Sequence, residues 1–294
     1  MKITKQKRLS LSIACLCLAL FISGCGDEKS TSSSSSGSGS GLQEKATSKQ
    51  KKYEPEENFV VQIHGRECTI TGYKGDSMEL NIPSKIGDRT VTKIGNQAFK
   101  KCTAIVNVTI PDTVKEIGVS AFYSCSSLES VTIPNSVTKI DDCAFCNCSS
   151  LKSVTIPNSV TKINNFAFRN CSSLKSVTIP DGVTEIGVRA FGGCSSLKSV
   201  TIPGGVTEIG YRAFDDCTSL KSVIILEGVT EIRRSAFDNC TSLESVTIPK
   251  SVKKIGWNAF KKCPSLKEVK VPSDCVYEEG TLGVFDEGCN VIRY

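Results

Sequence analysis

A catalytic reading of this sequence rests on three side chains. Two are the thiols of Cys143 and Cys146 in the run Cys143-Ala-Phe-Cys146-Asn-Cys148, and the third is His64, the single histidine. Two thiols three residues apart can form a redox pair or supply half of a zinc site. A structural zinc wants four ligands, and no second Cys-x-x-Cys exists to complete it. A local disulfide and a pair of free thiols therefore remain open for Cys143 and Cys146, with no metal and no cofactor expected. A cysteine nucleophile also needs a base within hydrogen-bond reach, and His64 sits in an N-terminal segment ahead of the repeats. With one imidazole, histidine-pair zinc proteases and two-histidine relays are out of reach. The chain reads as non-enzymatic, and a thiol-dependent enzyme is the remote alternative.

The elements that must hold these residues follow from one number. Cysteines stand at 102, 125, 148, 171, 194, 217, 240 and 263, and phenylalanines at 99, 122, 145, 168, 191, 214, 237 and 260, each series at a spacing of 23. Such a period is the mark of a repeat architecture. Within one unit, Leu174, Val177 and Ile179 predict a short strand with Val177 and Ile179 facing inward and Thr178 outward. Pro180 ends the strand, and Asp181-Gly182 supplies a turn. Val183 and Ile186 make a second short apolar pair. The next column holds Gly118, Asp141, Asn164, Gly187, Gly210 and Gly256, interrupted by Arg233. These residue types predict a corner of positive φ there. No unit can bury its apolar side chains alone, so the units must stack, with parallel strands about 4.8 Å apart and one continuous core.

Sixteen cysteines are distributed accordingly. Eight form the periodic column and are expected to be small, reduced, buried groups, since disulfides between neighbouring coils would require their Cβ atoms to close from about 4.8 Å to 3.8 Å. Cys143 and Cys146 replace variable positions expected to be exposed. Cys68 is expected in the core, and Cys275 with Cys289 can staple the C-terminal end.

Candidate binding residues lie on the outward side of the strands. Thr132, Thr155, Thr178, Thr201 and Thr247 form one column, with Ser153, Ser176, Ser199 and Ser222 beside it. Lys152, Lys175, Lys198 and Lys221 stack like charges at coil spacing, which an acidic partner or solvent would screen; the plain alternative is a solvated face.

Residues 1–24 read as an address. Lys2, Lys5, Lys7 and Arg8 precede an apolar run from Leu9 to Ile22, the layout of a secretory signal peptide. The run ends Ile22-Ser23-Gly24-Cys25, which resembles the bacterial lipobox, so Cys25 is expected to become a lipidated N-terminus anchored to a membrane without spanning it. Residues 25–58, rich in Ser, Gly, Lys and Glu, are expected to be a disordered tether. Residues 59–101 are read as an N-terminal cap with a degenerate first repeat, 102–272 as the 23-residue repeats and 273–294 as the C-terminal cap. Removing the four basic residues of the leader leaves 32 basic side chains against 30 acidic ones, so the balance gives no support for nucleic-acid binding.

The unit Leu151 to Ile163, followed by Ala167, Phe168 and Cys171, resembles the BspA-type leucine-rich repeat, and the match recurs over about residues 82–272. The resemblance implies a right-handed repeat solenoid of short parallel β-strands stacked in coils. It also implies a place on the bacterial cell surface and a role in adhesion or protein binding. The expected partners are therefore a protein or cell-surface macromolecule, and the membrane through the lipid anchor. A structural envelope component without a specific ligand is the other reading of the same features.

Overall fold

The computed structural model describes residues 53–278 and 283–294. Cys25, the leader and most of the tether lie outside the described residues.

Each coil has two short strands with a corner between them. In one coil these are Ser176–Thr178 and Glu185–Ile186. The Val183 N–H donates to the Pro180 carbonyl at 3.0 Å and closes the turn between them. Successive coils pair in parallel with every partner one repeat away, as in Val154 with Val177 and Ile186 with Ile209. Ten described strands, from Glu79–Asn81 to Asn290–Arg293, line one side of the solenoid as two five-stranded sheets. The Glu/Lys-Ile strands line a second side. Its ladder is interrupted between Lys139–Ile140 and Lys162–Ile163. There the Asn164 side-chain amide donates to the Ile140 carbonyl at 2.7 Å, in place of a backbone bond such as that of Gly187 N–H to the Ile163 carbonyl at 2.8 Å. The third side has no strand, yet its coils are tied just as regularly. The Phe191 N–H donates to Ala213 and the Phe214 N–H to Ala236, each at 2.8 Å.

The core is a set of columns. Nine phenylalanine rings from Phe99 to Phe285 stack face to face with centroids 5.0–5.5 Å apart. Tyr73 and Phe59 continue the column at the N-terminal end. Beside it, the Cys194 thiol donates to the carbonyl of Phe168 in the preceding coil at 3.3 Å, an acceptor that also takes the Cys171 N–H. Seven thiols from Cys125 to Cys263 make this bond. A thiol suits the position because it is apolar enough to be fully buried yet can still donate to a carbonyl that water cannot reach.

Residues 53–58, expected to belong to the disordered tether, are ordered. The Glu54 carboxylate accepts from the Tyr73 hydroxyl and from the Asn58 amide, each at 2.7 Å, and Glu56 accepts from the Gly87 N–H at 2.7 Å. These acceptors fasten the segment to Tyr73, at the end of Glu67–Tyr73, and to the turn at Gly87; Glu67–Tyr73 pairs antiparallel with Phe59–His64. Extra residues between Pro83 and Phe99 form a small hairpin, Lys85–Ile86 against Arg89–Ile94.

The left-handed corner is not where the glycine column stands. It falls two residues later, at Ser120, Cys143, Phe166, Arg189, Arg212, Ser235 and Asn258, with φ between 49° and 57°. A second such column runs through Ser124, Asn147, Asn170 and Asp216. The glycines answer a different demand, the close approach of the preceding coil. A Cβ on Gly187 would lie 2.8 Å from the Asn165 backbone nitrogen, and one on Gly118 would lie 2.9 Å from that of Asn96.

Candidate interaction surface

The threonine column stands exposed along the strand side, with its valine neighbours turned inward. Thr155 and Thr178 are register partners, as are Thr109 and Thr132. Thr132, Thr155, Thr178, Thr201 and Thr247 are thus brought to one side, with the column broken by Ile224, which is 46% exposed. In the same coil Leu226 replaces the strand-ending proline. Its N–H donates to Ile202 at 3.0 Å, a bond proline cannot make, and the adjoining strands Ser199–Ile202 and Ser222–Ile225 each reach four residues.

Pairing on this side opens at one place and narrows to the single register pair Thr247 with Lys270 at another. Between Ser176–Thr178 and Ser199–Ile202 lies a groove of about 310 Å³ bordered by Val177, Val200 and Leu226. A second, of about 320 Å³, lies between Ser245–Thr247 and Glu268–Val271, with Tyr294 on its wall. The Tyr294 hydroxyl donates to the Ile248 carbonyl at 2.8 Å.

The expected row of four like charges is shorter than the lysines alone suggested. Lys152 is paired with Glu129 at 2.6 Å, and Lys221 lies 3.5 Å from Glu244. Glutamates occupy the lysine column at both ends of the run, so the outer lysines are compensated. Lys175 and Lys198 remain, both exposed and with no carboxylate partner among the described residues. Across the solenoid the Glu/Lys column is neutralised between coils, as in Lys162 with Glu185 at 2.8 Å and Lys139 with Glu116 at 3.2 Å.

The thirteen described cysteines are all free thiols. Cys143 is half-buried, but Cys146, expected at the surface, is buried at 3% exposure. Burial pushes the Cys146 thiol up to about 11, with the neighbouring Cys143 adding to the effect. Burial also raises Cys143, helped by Asp142. Both shifts hold the pair as neutral thiols, the opposite of what a nucleophile requires. His64 is exposed at the end of Phe59–His64. Cys275 and Cys289 are separate thiols and form no staple. Cys275 is taken up by the core at 3% exposure, filling the column that valine holds in earlier coils. Cys68 is fully buried.

A third feature was missed because it draws on the variable positions at the corner. Tyr211, Arg234 and Trp257 stand 23 residues apart and stack in successive coils. The Arg234 guanidinium carbon lies 3.4 Å from the Trp257 ring centre and 5.9 Å from that of Tyr211. The Arg212 guanidinium carbon also lies over the Tyr211 ring, 5.4 Å from its centre. The coils are fixed here by backbone bonds from Arg212 N–H to the Arg234 carbonyl at 3.2 Å and from Ser235 N–H to the Trp257 carbonyl at 3.1 Å. Nearby, the buried Asp215 lies 3.3 Å from Arg189 and 3.9 Å from Arg212. Burial pushes its carboxyl up to about 6, against the pull of the two guanidiniums. The common spacing of Tyr211, Arg234 and Trp257 was the signal available in the sequence.

The description "BspA type Leucine rich repeat region" matches residues 77–196 and 161–279, with six copies. Among solved structures, the chain is similar to a leucine-rich repeat protein of T. pallidum, with 31% identity and a TM-score of 0.61 over 65% of this chain and 91% of that one. A leucine-rich repeat protein of Bacteroides capillosus is matched at 33% identity over 41% of this chain and 92% of that one, with a TM-score of 0.37. A leucine rich cell surface protein of Faecalibacterium prausnitzii is matched at 24% identity over 83% and 95%, with a TM-score of 0.41. No curated protein is matched. Repeat by repeat, in sequence and in coil geometry, the chain belongs to the BspA-type leucine-rich-repeat family.

Proposed function

We propose that this protein is a lipid-anchored bacterial surface protein whose solenoid binds a macromolecular partner, without catalysis. The observation that carries the binding role is the strand side, where Thr155, Thr178 and Thr201 form an exposed hydroxyl column beside Lys175 and Lys198, which have no carboxylate partner among the described residues. A solenoid of this kind offers an extended, regular surface, and two uncompensated cations at coil spacing favour an acidic patch opposite them. The anchoring part rests on the leader at 1–24 and on Cys25 as its acylated end, with the polar stretch that follows holding the solenoid off the lipid.

The test uses cells displaying the full chain, measured for saturable adhesion to immobilised extracellular-matrix proteins and to other cells. Saturable adhesion to one component that is lost in the Lys175→Glu/Lys198→Glu double variant supports the strand side as the binding surface. Adhesion unchanged in that variant moves the site elsewhere, and no adhesion across the panel overturns the binding role. Cys25→Ala is expected to release the protein from the membrane fraction, which separates the anchor from the binding surface.

A further inference from the structure

We propose that the corner carrying Tyr211, Arg234 and Trp257 is a second binding site, one that takes a carboxylate from an acidic segment of a protein partner. It rests on the reading above only in treating the solenoid as a binding scaffold; the residues, the side of the coil and the ligand chemistry are different. Four arginines lie on or beside this corner, and three of them already contact a carboxylate. Arg189 and Arg212 share Asp215, and Arg233 is held by Glu208 at 2.7 Å and Glu231 at 3.5 Å. Arg234 is exposed and makes no ion pair or side-chain hydrogen bond among the described residues.

Its guanidinium is nevertheless in contact with aromatic rings of both neighbouring coils. One face of the guanidinium lies on Trp257 at 3.4 Å and the other is turned to Tyr211. Held between the two rings, the planar guanidinium has no acceptor for its edge N–H groups among the described residues, and such a free edge can meet a carboxylate through two parallel hydrogen bonds. The neighbouring column position adds no obstruction, since Gly256 packs its α-carbon against the Arg234 backbone with no side chain. Tyr211 and Arg234 are exposed and Trp257 is half-buried, and Tyr, Trp and Arg are the residue types that dominate binding energy at protein interfaces.

The charge count selects the ligand. A polyanion such as a sulfated polysaccharide or a nucleic acid is gripped by rows of free cations, and among the arginines of this corner Arg234 alone has no carboxylate contact among the described residues. A lone carboxylate with apolar neighbours, as on an acidic protein segment, matches one free guanidinium framed by two aromatic rings.

Trp257 is the single tryptophan of the chain, so its fluorescence reports this corner in the full-length protein. The probe is a short oligoglutamate peptide, titrated at low ionic strength while Trp257 emission is followed, with a heparin oligosaccharide titrated in parallel. The expected result is a saturable change in emission with the peptide, weakened at least tenfold in Arg234→Gln and at least threefold in Arg234→Lys, which keeps the charge but loses the planar fork. The Lys175→Glu/Lys198→Glu variant is expected to respond like the unaltered protein, so this site and the strand side are tested separately. No saturable change, an unaltered response in Arg234→Lys, or heparin acting at lower concentration than the peptide would each overturn the proposal.

Discussion

Replacing Phe191 by alanine removes a fully buried ring from the middle of the aromatic column, where it stacks on Phe168 at 5.5 Å and on Phe214 at 5.2 Å. Truncating a buried phenylalanine costs about 3–5 kcal/mol through lost transfer energy and the cavity left behind. The upper part of that range is expected here. The ring has no exposed edge from which the site can collapse, and each lost aromatic pair is worth about 0.5–1.5 kcal/mol beyond its buried area. Phe191→Leu keeps most of the apolar volume and loses the two stacks, so a smaller loss of about 1–3 kcal/mol is expected. Phe285, the last ring, stacks face to face only on Phe260, meets Tyr277 edge-on and is half-buried. Phe285→Ala should therefore cost less than half of what Phe191→Ala costs. The assay is urea unfolding followed by far-ultraviolet circular dichroism and by Trp257 fluorescence. The two probes are expected to separate in Phe191→Ala, because a weak coil in mid-solenoid uncouples the C-terminal coils from the rest. Equal losses for Phe191→Ala and Phe285→Ala, or a loss under about 1 kcal/mol for the former, would refute a column whose energy comes from neighbour-on-neighbour stacking.

Asp215 makes stability depend on pH in an unusual direction. Its folded pKa of about 6 lies above the ordinary carboxylate range, so between about pH 4 and 6 the folded state holds the proton more tightly than the unfolded chain. Stability contributed at this site is therefore present at low pH and falls as pH rises toward 6. Relative to Asp215→Asn, the unaltered protein should lose about 2–3 kcal/mol over that window, measured by denaturant midpoints at pH 4 and pH 7; a difference independent of pH would refute the shift. Among the described thiols, brief alkylation of the native protein should label the half-buried Cys143 while sparing Cys171, Cys194 and Cys217 until unfolding, as read by peptide mass mapping. Rapid labelling of Cys194 would contradict its place in the hydrogen-bonded column.

The register was legible because a single period governs it. Once Cys and Phe recur every 23 residues, parallel pairing of like with like is the arrangement that buries all columns together, and Val154 opposite Val177 follows. The phenylalanine column was legible for the same reason. Gly187 and its column misled, because glycine serves positive φ and close backbone approach alike, and residue type does not separate the two. Cys146 was misplaced because its column holds Tyr123, Arg169 and Asp215, polar or amphipathic residues that conceal how far the corner is buried. Glu129 and Glu244 stood at the ends of the lysine column, but a view restricted to the lysines passed over the partners that neutralise two of them. The Tyr211, Arg234 and Trp257 stack was hidden by chemical diversity. A column of identical residues declares itself, whereas a cation between two rings is recognised only when the coils are set one above another.

The ladder of bonds between coils has a mechanical consequence. Strands, thiols and rings connect each coil to its immediate neighbours, and in the repeats nothing spans the stack as a whole. A pull on the two ends of the solenoid therefore loads one terminal coil at a time, as in opening a zipper, and does not share the force across all the coils. A coil that peels away gives up about 5 Å of stacked height and frees 23 residues, about 80 Å when drawn taut. Tension along this axis would be relieved in steps of one repeat, each absorbing work and lengthening the protein. The sequence that encodes a uniform core thereby also encodes a graded extensibility, observable as a regular sawtooth in a single-molecule pulling trace.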